Sequence, residues 1–120
     1  MRKFIYFGFI IFMGSCKSNT IVVGDLETTP EDLGQMDWNE AVLACEGLGD
    51  GWRLPSKDEL NELCEHAGRI SNKNISQHSY WSSTEVNGEE AWLVEFSLCF
   101  SFPVNKGKTF YVRPVRKIDQ

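Results

Sequence analysis

The stretch Gly51-Trp52-Arg53-Leu54-Pro55-Ser56-Lys57-Asp58-Glu59-Leu60 decides the fold, because it turns an extended chain into a helix. Pro55 disfavours helical geometry at the preceding residue, so the chain arrives extended. Ser56 is then a suitable N-cap, and Glu59 completes a capping box three residues later. We predict a helix from about Lys57 to Ala67 with one apolar stripe. The residues expected to have structural roles in this stretch are Trp52, Arg53, Leu54, Pro55 and Glu59.

The chain has 120 residues, which is enough for one domain, and its beginning has the features of a secretion signal. Arg2 and Lys3 precede an apolar run, Phe4 to Met13, that is too short to span a bilayer comfortably. Met13-Gly14-Ser15-Cys16 then resembles a bacterial lipobox, in which the cysteine is acylated. We predict a lipoprotein signal peptide over residues 1–15 and lipidation of Cys16. The alternative is an ordinary cleaved signal peptide with Cys16 as a bystander.

Removal of residues 1–15 would leave 105 residues and move the formal net charge from -5 to -7, because two basic and no acidic residues are lost. An acidic protein is a poor partner for nucleic acid, so we expect none. The lipid would provide the membrane attachment. The expected location is the bacterial cell envelope, with the lipid in the outer membrane and the domain on its periplasmic or surface face. Lys17 supports this, since it is not the aspartate that retains lipoproteins in the inner membrane of some bacteria.

Three cysteines remain after Cys16, and they permit one internal disulfide in three possible pairings. An envelope compartment would allow such a bond. Cys45 and Cys64, however, lie on predicted apolar helix faces, where a thiol behaves as a small hydrophobic group. We therefore favour buried free thiols over a disulfide in any of the three pairings of Cys45, Cys64 and Cys99.

The region from Cys16 to Gly34 is rich in Ser, Thr and acidic residues, and we predict a flexible tether that holds the domain away from the membrane. Ile21-Val22-Val23 is a possible edge strand within it. The domain is predicted over residues 35–118. Asp37 and Glu40 form a second capping box at the start of an amphipathic helix of about ten residues.

The second half of the chain has the alternation of β-strands. Tyr80 to Thr84 is predicted as a short strand, and Trp92 to Phe102 as a long one with a continuous apolar face. Pro103 to Lys108 should reverse the chain, and Thr109 to Val115 should return as the partner strand of a hairpin. Two N-terminal helices followed by an antiparallel β-meander indicate an α+β fold.

Five motifs then appear in an order that resembles a known family. The chain is similar to the C-terminal domain family of the bacterial collagen-like adhesin, with more distant similarity to the Fib-succ-major paralogous domains. The resemblance covers about residues 35–117 and implies a C-type-lectin-like fold. Its motifs are Met36-Asp37-Trp38-(x)2-Ala41-(x)3-Cys45, Gly51-Trp52-Arg53-Leu54-Pro55-Ser56-(x)2-Glu59-Leu60, Tyr80-Trp81-Ser82-Ser83-Thr84-Glu85, Ala91-Trp92 and Tyr111-Val112-Arg113-Pro114-Val115-Arg116.

The resemblance implies neither catalysis nor a cofactor. The related formylglycine-generating enzyme needs a close cysteine pair near its C-terminus to hold copper, and this chain has Cys99 alone in that part. The tripeptides with which lectins bind calcium are missing from the sequence. Cys64 and His66 point about 200° apart on a helix, and His78 stands alone in a polar loop. We therefore predict no enzyme, no metal site and no cofactor.

Two side-chain classes are candidates for ligand contact. At least three of the four tryptophans should be mainly buried in so small a domain, and Trp81 and Trp92 should have structural roles. The more exposed aromatic contact is then expected to be Tyr80 or Tyr111. Basic residues are concentrated in the last fifteen positions. The predicted ligand-binding set is Lys106, Lys108, Arg116, Lys117 and Tyr80.

Two arginines lie between apolar residues, and a buried arginine needs a hydrogen-bonding partner. Arg53 and Arg113 are expected to bind a carboxylate or backbone carbonyls, and at least one of them should be mostly buried. The available carboxylates are Glu59, Glu62 and Glu95.

The sequence thus predicts a non-enzymatic envelope lipoprotein that carries an adhesin-like binding module for a glycan, a polyanion or a protein surface. The alternative, from a different functional class, is a structural or assembly component of an envelope complex without an external ligand.

Overall fold

A computed structural model describes residues 20–70 and 75–118 of the chain. The predicted signal peptide and Cys16 lie outside these ranges. In the described part, no helix is both long enough and apolar enough to cross a membrane. The elements, in chain order, are β1 (Ile21–Val23), β2 (Leu26–Thr28), β3 (Gln35–Met36), α1 (Trp38–Glu46), α2 (Lys57–Glu65), two short 3-10 helices (Ala67–Arg69 and Ile75–Gln77), β4 (Ser79–Glu85), β5 (Glu90–Glu95), β6 (Phe100–Asn105), β7 (Phe110–Tyr111) and β8 (Val115–Lys117).

The strands form two sheets, and the chain passes from one sheet to the other. A three-stranded antiparallel sheet has the order β1-β2-β8, and a five-stranded sheet has the order β3-β7-β4-β5-β6. Strands β4, β5 and β6 form an antiparallel meander with other bounds than those predicted, and β7 lies parallel to β4. The fold is α+β as predicted, but the two helices follow three short strands rather than opening the domain.

Both predicted capping boxes are present, and they fix where the helices start. At α1 the Asp37 side chain accepts a hydrogen bond from the backbone N–H of Glu40, whose carboxylate accepts from the N–H of Asp37. At α2 Ser56 and Glu59 make the same reciprocal pair. Such a box satisfies two N–H groups that have no partner within the helix. Helix α2 ends at Glu65, two residues before the predicted end.

The apolar residues gather in two clusters on the two sides of β4. Tyr80 belongs to one cluster with residues of α2 and the three-stranded sheet, and Trp81 belongs to the other with residues of α1. Successive residues of a strand point to opposite faces, which explains why neighbouring aromatic residues serve different cores. Both residues are fully buried.

The prediction of a flexible tether up to Gly34 is wrong for the part that the structure describes. Val23 and Leu26 are buried, and Glu27 on β2 pairs with Arg116 on β8. The polar composition of this region is typical of a linker, but its strands are completed by residues almost ninety positions away. The folded domain therefore begins by about Ile21, and the possible edge strand at Ile21–Val23 is present.

The predicted long strand from Trp92 to Phe102 is also wrong. The chain forms β5, turns over residues 96–99, and returns as β6, so Glu95 lies opposite Phe100. Cys99 adopts a positive φ of 52° in this turn. The expected apolar face is not continuous, because Phe96 is buried while Leu98 is 76% exposed. The alternating pattern is common to both strands and therefore conceals the turn between them.

The C-terminal hairpin is the third prediction that needs correction. Pro103 lies within β6 rather than in a turn. The segment predicted as its partner strand instead supplies β7 to one sheet, and β8, which begins at Val115, to the other. Lys106 and Lys108 consequently lie in the loop between β6 and β7 of the five-stranded sheet, whereas Arg116 and Lys117 lie in β8 of the other sheet.

Cys64 and Cys99 form a disulfide with a Cα–Cα distance of 5.7 Å, so the preference for free thiols is wrong for these two residues. A buried position on a helix is equally suitable for a bridged cysteine, and the sequence could not show that the 96–99 turn comes to α2. Cys45 is the free cysteine of the described part. Burial raises the pKa of its thiol to about 12, so it is not a reactive nucleophile.

Candidate functional site

A charged pocket lies where the Trp52–Pro55 stretch meets β8. Arg53 and Val115 exchange two backbone hydrogen bonds of 2.9 Å, so the side chains of Arg53 and Arg116 reach the same region. The pocket has a volume of about 430 Å³. Its walls are formed by Glu27, Asp50, Gly51, Arg53, Arg116, Lys117 and Ile118.

The turn before Trp52 forms one wall of this pocket. Gly49, Asp50 and Gly51 all have positive φ values, of 75°, 55° and 85°. Glycine adopts such angles at little cost, whereas Asp50 is a non-glycine residue in a region that side chains disfavour. The turn brings the carbonyl of Asp50 within 3.2 Å of Arg116 Nη1, and this contact joins the wall to β8.

Arg53 is held by a two-pronged ion pair with Glu59. Its Nη1 and Nη2 atoms donate to the two carboxylate oxygens over 2.8 and 2.9 Å. These hydrogen bonds lower the pKa of Glu59 and raise that of Arg53, while partial burial opposes both shifts. Because Glu59 also caps α2, the pair orients the guanidinium from a rigid helix start. The Arg53 side chain remains 37% exposed, which leaves donor capacity toward the pocket.

Arg116 and Lys117 also have carboxylate partners. Arg116 Nε donates to Glu27 over 2.9 Å, and the guanidinium carbon lies 4.7 Å from the centre of the Trp52 ring. Lys117 Nζ donates to Asp25 over 2.8 Å. This hydrogen bond lowers the pKa of Asp25 and raises that of Lys117. The pocket therefore combines three cations with carboxylates rather than forming a purely basic surface, and the Trp52 ring lies against one of these cations, Arg116.

The structure divides the predicted ligand-binding set. Arg116 and Lys117 line the pocket, but Lys106 has a structural position. Its Nζ donates to Glu85 over 2.7 Å and lies 4.3 Å from the centre of the Trp38 ring, and its side chain is only 14% exposed. Lys108 is exposed, and among the described residues its ammonium has no carboxylate partner.

Tyr80 is not the exposed aromatic contact that we expected. Its ring is fully buried, and burial raises the pKa of its hydroxyl to about 12. The hydroxyl donates to Asp32 over 3.3 Å, and the Arg113 guanidinium carbon lies 5.5 Å from the ring centre. The alternation of β4, which points Tyr80 into one core and Trp81 into the other, makes both residues structural.

Arg113 confirms the expectation of a buried arginine. It is fully buried, and its Nη1 donates to the backbone carbonyl of Thr29. Thr29 lies in the region predicted as a tether, so the partner is not one of the three glutamates considered from the sequence. One of those three glutamates, Glu59, pairs with Arg53 instead.

The remaining structural candidates have mixed exposure. Leu54 and Pro55 are buried, as is Trp81, while the other three tryptophans are partly exposed. Each of these three rings carries a cation: Arg116 on Trp52, Lys106 on Trp38, and Lys57 at 4.1 Å from the ring centre of Trp92.

Neither a metal centre nor a nucleophile–base pair is assembled within residues 20–70 and 75–118. These ranges hold no group of three or more potential metal-ligating side chains. His66 is exposed at the end of α2, and its Nδ1 lies 3.0 Å from the backbone carbonyl oxygen of Glu62, which accepts the hydrogen bond. His78 stacks on Tyr111 with ring centres 3.8 Å apart, and its Nδ1 lies 3.8 Å from a carboxylate oxygen of Asp32. These two neighbours do not complete a metal site or a nucleophile–base pair with His78.

Sequence reasoning missed the acidic side of the pocket. Asp25 and Glu27 fell within the predicted tether, and Asp50 was interpreted only as part of a turn. The sequence did contain a signal for strands here. Val23, Leu26 and Thr28 are spaced as in a short hairpin, and Gly24 lies between the two strands. Gly24 adopts a φ of 61°, which such a tight turn requires.

Comparison with known proteins supports this description of the fold. Two solved structures share the overall fold at low sequence identity: botrocetin, with a TM-score of 0.66 and 14% identity over 87% of this chain and 99% of that one, and the snake venom toxin convulxin, with 0.65 and 13% over 88% and 99%. No curated protein matches the sequence. The family model of the Lcl C-terminal domain matches residues 16–116. Since this match covers most of the chain, the protein belongs to the Lcl C-terminal domain family.

Proposed function

We propose that this chain is a non-catalytic envelope lipoprotein whose domain binds a glycan or protein through the charged pocket. The observation that carries the proposal is the convergence of Arg53, Arg116 and Lys117 around a 430 Å³ concavity beside the partly exposed Trp52. Concave sites with a few fixed polar groups and an aromatic ring are typical of ligand recognition. Membership of a family named after an adhesin domain supports the same class of function.

The mixed charge of the pocket narrows the type of ligand. Guanidinium and ammonium groups donate hydrogen bonds, and Glu27 and Asp50 carry oxygens that accept them. A sugar presents hydroxyl groups that do both, and an acidic sugar adds a carboxylate or sulfate that an arginine binds well. We therefore place acidic glycans ahead of neutral glycans and of protein surfaces.

The test is retention of the mature chain with Cys16→Ala on columns of immobilised acidic and neutral glycans. The pocket variant is Arg116→Gln/Lys117→Ala, and the matched control is Lys108→Ala, which removes an exposed charge from outside the pocket. We expect the pocket variant to elute early and the control to elute with the parent, with retention that weakens steeply as salt rises. Thermal unfolding of each variant checks that the fold is unchanged.

Two results would contradict this proposal in different ways. Equal retention of parent and pocket variant would remove the pocket as the site. Failure of the parent to bind any glycan would favour the alternative, a structural or assembly component without an external ligand. One observation supports that alternative: Arg53, Arg116 and Lys117 are each already paired with a carboxylate of the same domain. Copurification of the intact chain with envelope proteins would then be the next measurement.

Acylation of Cys16 is the second part of the proposal, and it rests on the lipobox residues. The Cys16→Ala form should lose palmitate labelling and membrane association. Labelling that persists in this form would remove the lipoprotein assignment without affecting the pocket.

A further inference from the structure

The end of the turn after β5 and the first residue of β6, residues 97–100, form an exposed apolar tip. Leu98 is 76% exposed and Phe100 is 58% exposed, and the Phe100 ring lies 5.9 Å from that of Phe102. The four residues Ser97-Leu98-Cys99-Phe100 carry no charge. A leucine and a phenylalanine that are both mostly exposed within three residues are unfavourable in water unless something covers them.

The tip is fixed to the rest of the domain, unlike a loose surface loop. The disulfide between Cys64 and Cys99 ties it to α2, and the neighbouring Phe96 is buried. A contact surface that is already fixed loses little conformational entropy on docking.

A partner strand is a poor candidate for covering this tip. Strand β6 is the edge of the five-stranded sheet, but Pro103 occupies its middle, opposite Trp92. Proline has no N–H to donate, and in edge strands it discourages the addition of a further strand. Contact must therefore be made by the apolar side chains rather than by backbone pairing.

The length of chain between Cys16 and the folded domain indicates what covers the tip. Only residues 17–19 separate Cys16 from Thr20, where the described domain begins. Four chain steps span at most about 14 Å, whatever their conformation. If Cys16 is acylated, the start of β1 must lie close to the bilayer surface, since no long tether is available to hold the domain away.

The tip and the start of β1 contact the same part of the core. Ile21, the first residue of β1, and Cys99 pack against one apolar cluster, which includes Ile75, Tyr80 and Phe96. We infer that the tip, through Leu98 and Phe100, inserts into the interfacial region of the lipid bilayer and orients the domain on the membrane. This inference rests on the proposed acylation of Cys16.

The contact should be apolar rather than electrostatic. The mature protein is acidic and the tip is uncharged, so an anionic membrane would not attract it by charge. Leucine and phenylalanine, in contrast, favour the headgroup–acyl boundary. The contact should therefore persist when salt screens the surface charges.

Hydroxyl-radical footprinting of the acylated full-length mature chain in phosphatidylethanolamine–phosphatidylglycerol vesicles tests this inference. Leu98 and Phe100 should be oxidised several-fold less than in the Cys16→Ala chain mixed with the same vesicles, at low salt and at about 0.5 M salt. Leu43 is the internal control, because it is 69% exposed on α1 and should be oxidised equally in both forms.

Each other outcome overturns the inference for an identifiable reason. Equal oxidation of the tip in a chain that carries palmitate would show that the domain does not touch the bilayer there, while acylation stands. A chain without palmitate would remove the inference together with the lipoprotein assignment. Protection that appears without vesicles would show self-association, and protection lost at high salt would show an electrostatic contact elsewhere. An acylated Leu98→Ser/Phe100→Ser variant should remain anchored to the vesicles. Its backbone amides around Cys99 should, however, exchange with deuterated water faster than those of the acylated parent.

Discussion

Arg113 and Arg53 are the same residue type in two regions of the domain, and they are stabilised in different ways. Arg113 is fully buried, donates to the carbonyl of Thr29, and lies against the Tyr80 ring. Arg53 is partly exposed and pairs with Glu59 through two hydrogen bonds. A guanidinium in the core joins segments that are distant in sequence, whereas one at the pocket remains available to a ligand. The extent of burial, more than the presence of an ion pair, therefore distinguishes a structural arginine from a candidate binding residue.

The sharpest way to break this comparison is to replace Arg113. Arg113→Ala leaves a cavity and removes the donor to Thr29, and we expect a loss of about 3–5 kcal/mol in the free energy of unfolding. Arg113→Met fills the space without the charge and should cost less, about 1–3 kcal/mol, for the unpaired carbonyl. The Nε and Nη2 atoms of Arg113 have no acceptor among the described residues, so replacing Arg113 with methionine removes few hydrogen bonds. Urea unfolding of both variants measures the difference, and equal losses would contradict this account.

Labelling of Cys45 offers an independent readout for the same variants. Its thiol is buried, so alkylation at neutral pH should follow opening of the core. Arg113→Ala should accelerate the labelling more than Arg113→Met does.

Lys106 sharpens the comparison because it is a cation of intermediate burial. Its ammonium contacts both Glu85 and the Trp38 ring, and we expect Lys106→Ala to cost about 1–2 kcal/mol. Lys108→Ala is the matched control, two residues away on an exposed position, and should leave the unfolding midpoint unchanged. If both variants unfold like the parent, the Lys106 contacts contribute nothing measurable and its role as a structural residue is wrong.

The smallest effect is expected from the charge of Glu59. Glu59→Gln keeps the capping box but removes the ion pair with Arg53, and it should cost about 1 kcal/mol near neutral pH, since Arg53 is partly solvated. The pKa of Glu59 is lowered in the folded state, so this stabilisation is present above the ordinary value of 4.5 and is lost as the pH falls through the lower, folded-state value. The gap between parent and variant in urea unfolding should therefore close on acidification. A gap that widens would show that another group is responsible.

Much of the local structure was predictable from the sequence because its causes are local. The capping boxes that start at Asp37 and Ser56 depend on residues three positions apart, and both formed as predicted. The extended arrival at Pro55 and the alternation of β4 and β5 have similarly short ranges. The candidate site was predicted only in part: Arg116 and Lys117 were identified, while Asp25 and Glu27 were placed in a tether.

The sequence by itself determined the two helices, the strand character of the second half and the family resemblance, since each depends on spacing between near neighbours. The tertiary structure alone decided the disulfide between Cys64 and Cys99, the burial of Tyr80 and the pocket beside Arg53. These features join residues that lie far apart in the chain, and pairing of that kind depends on which strands meet. β8 completes a sheet with β2 rather than returning along β6, and that choice places Arg116 beside Glu27 and Trp52.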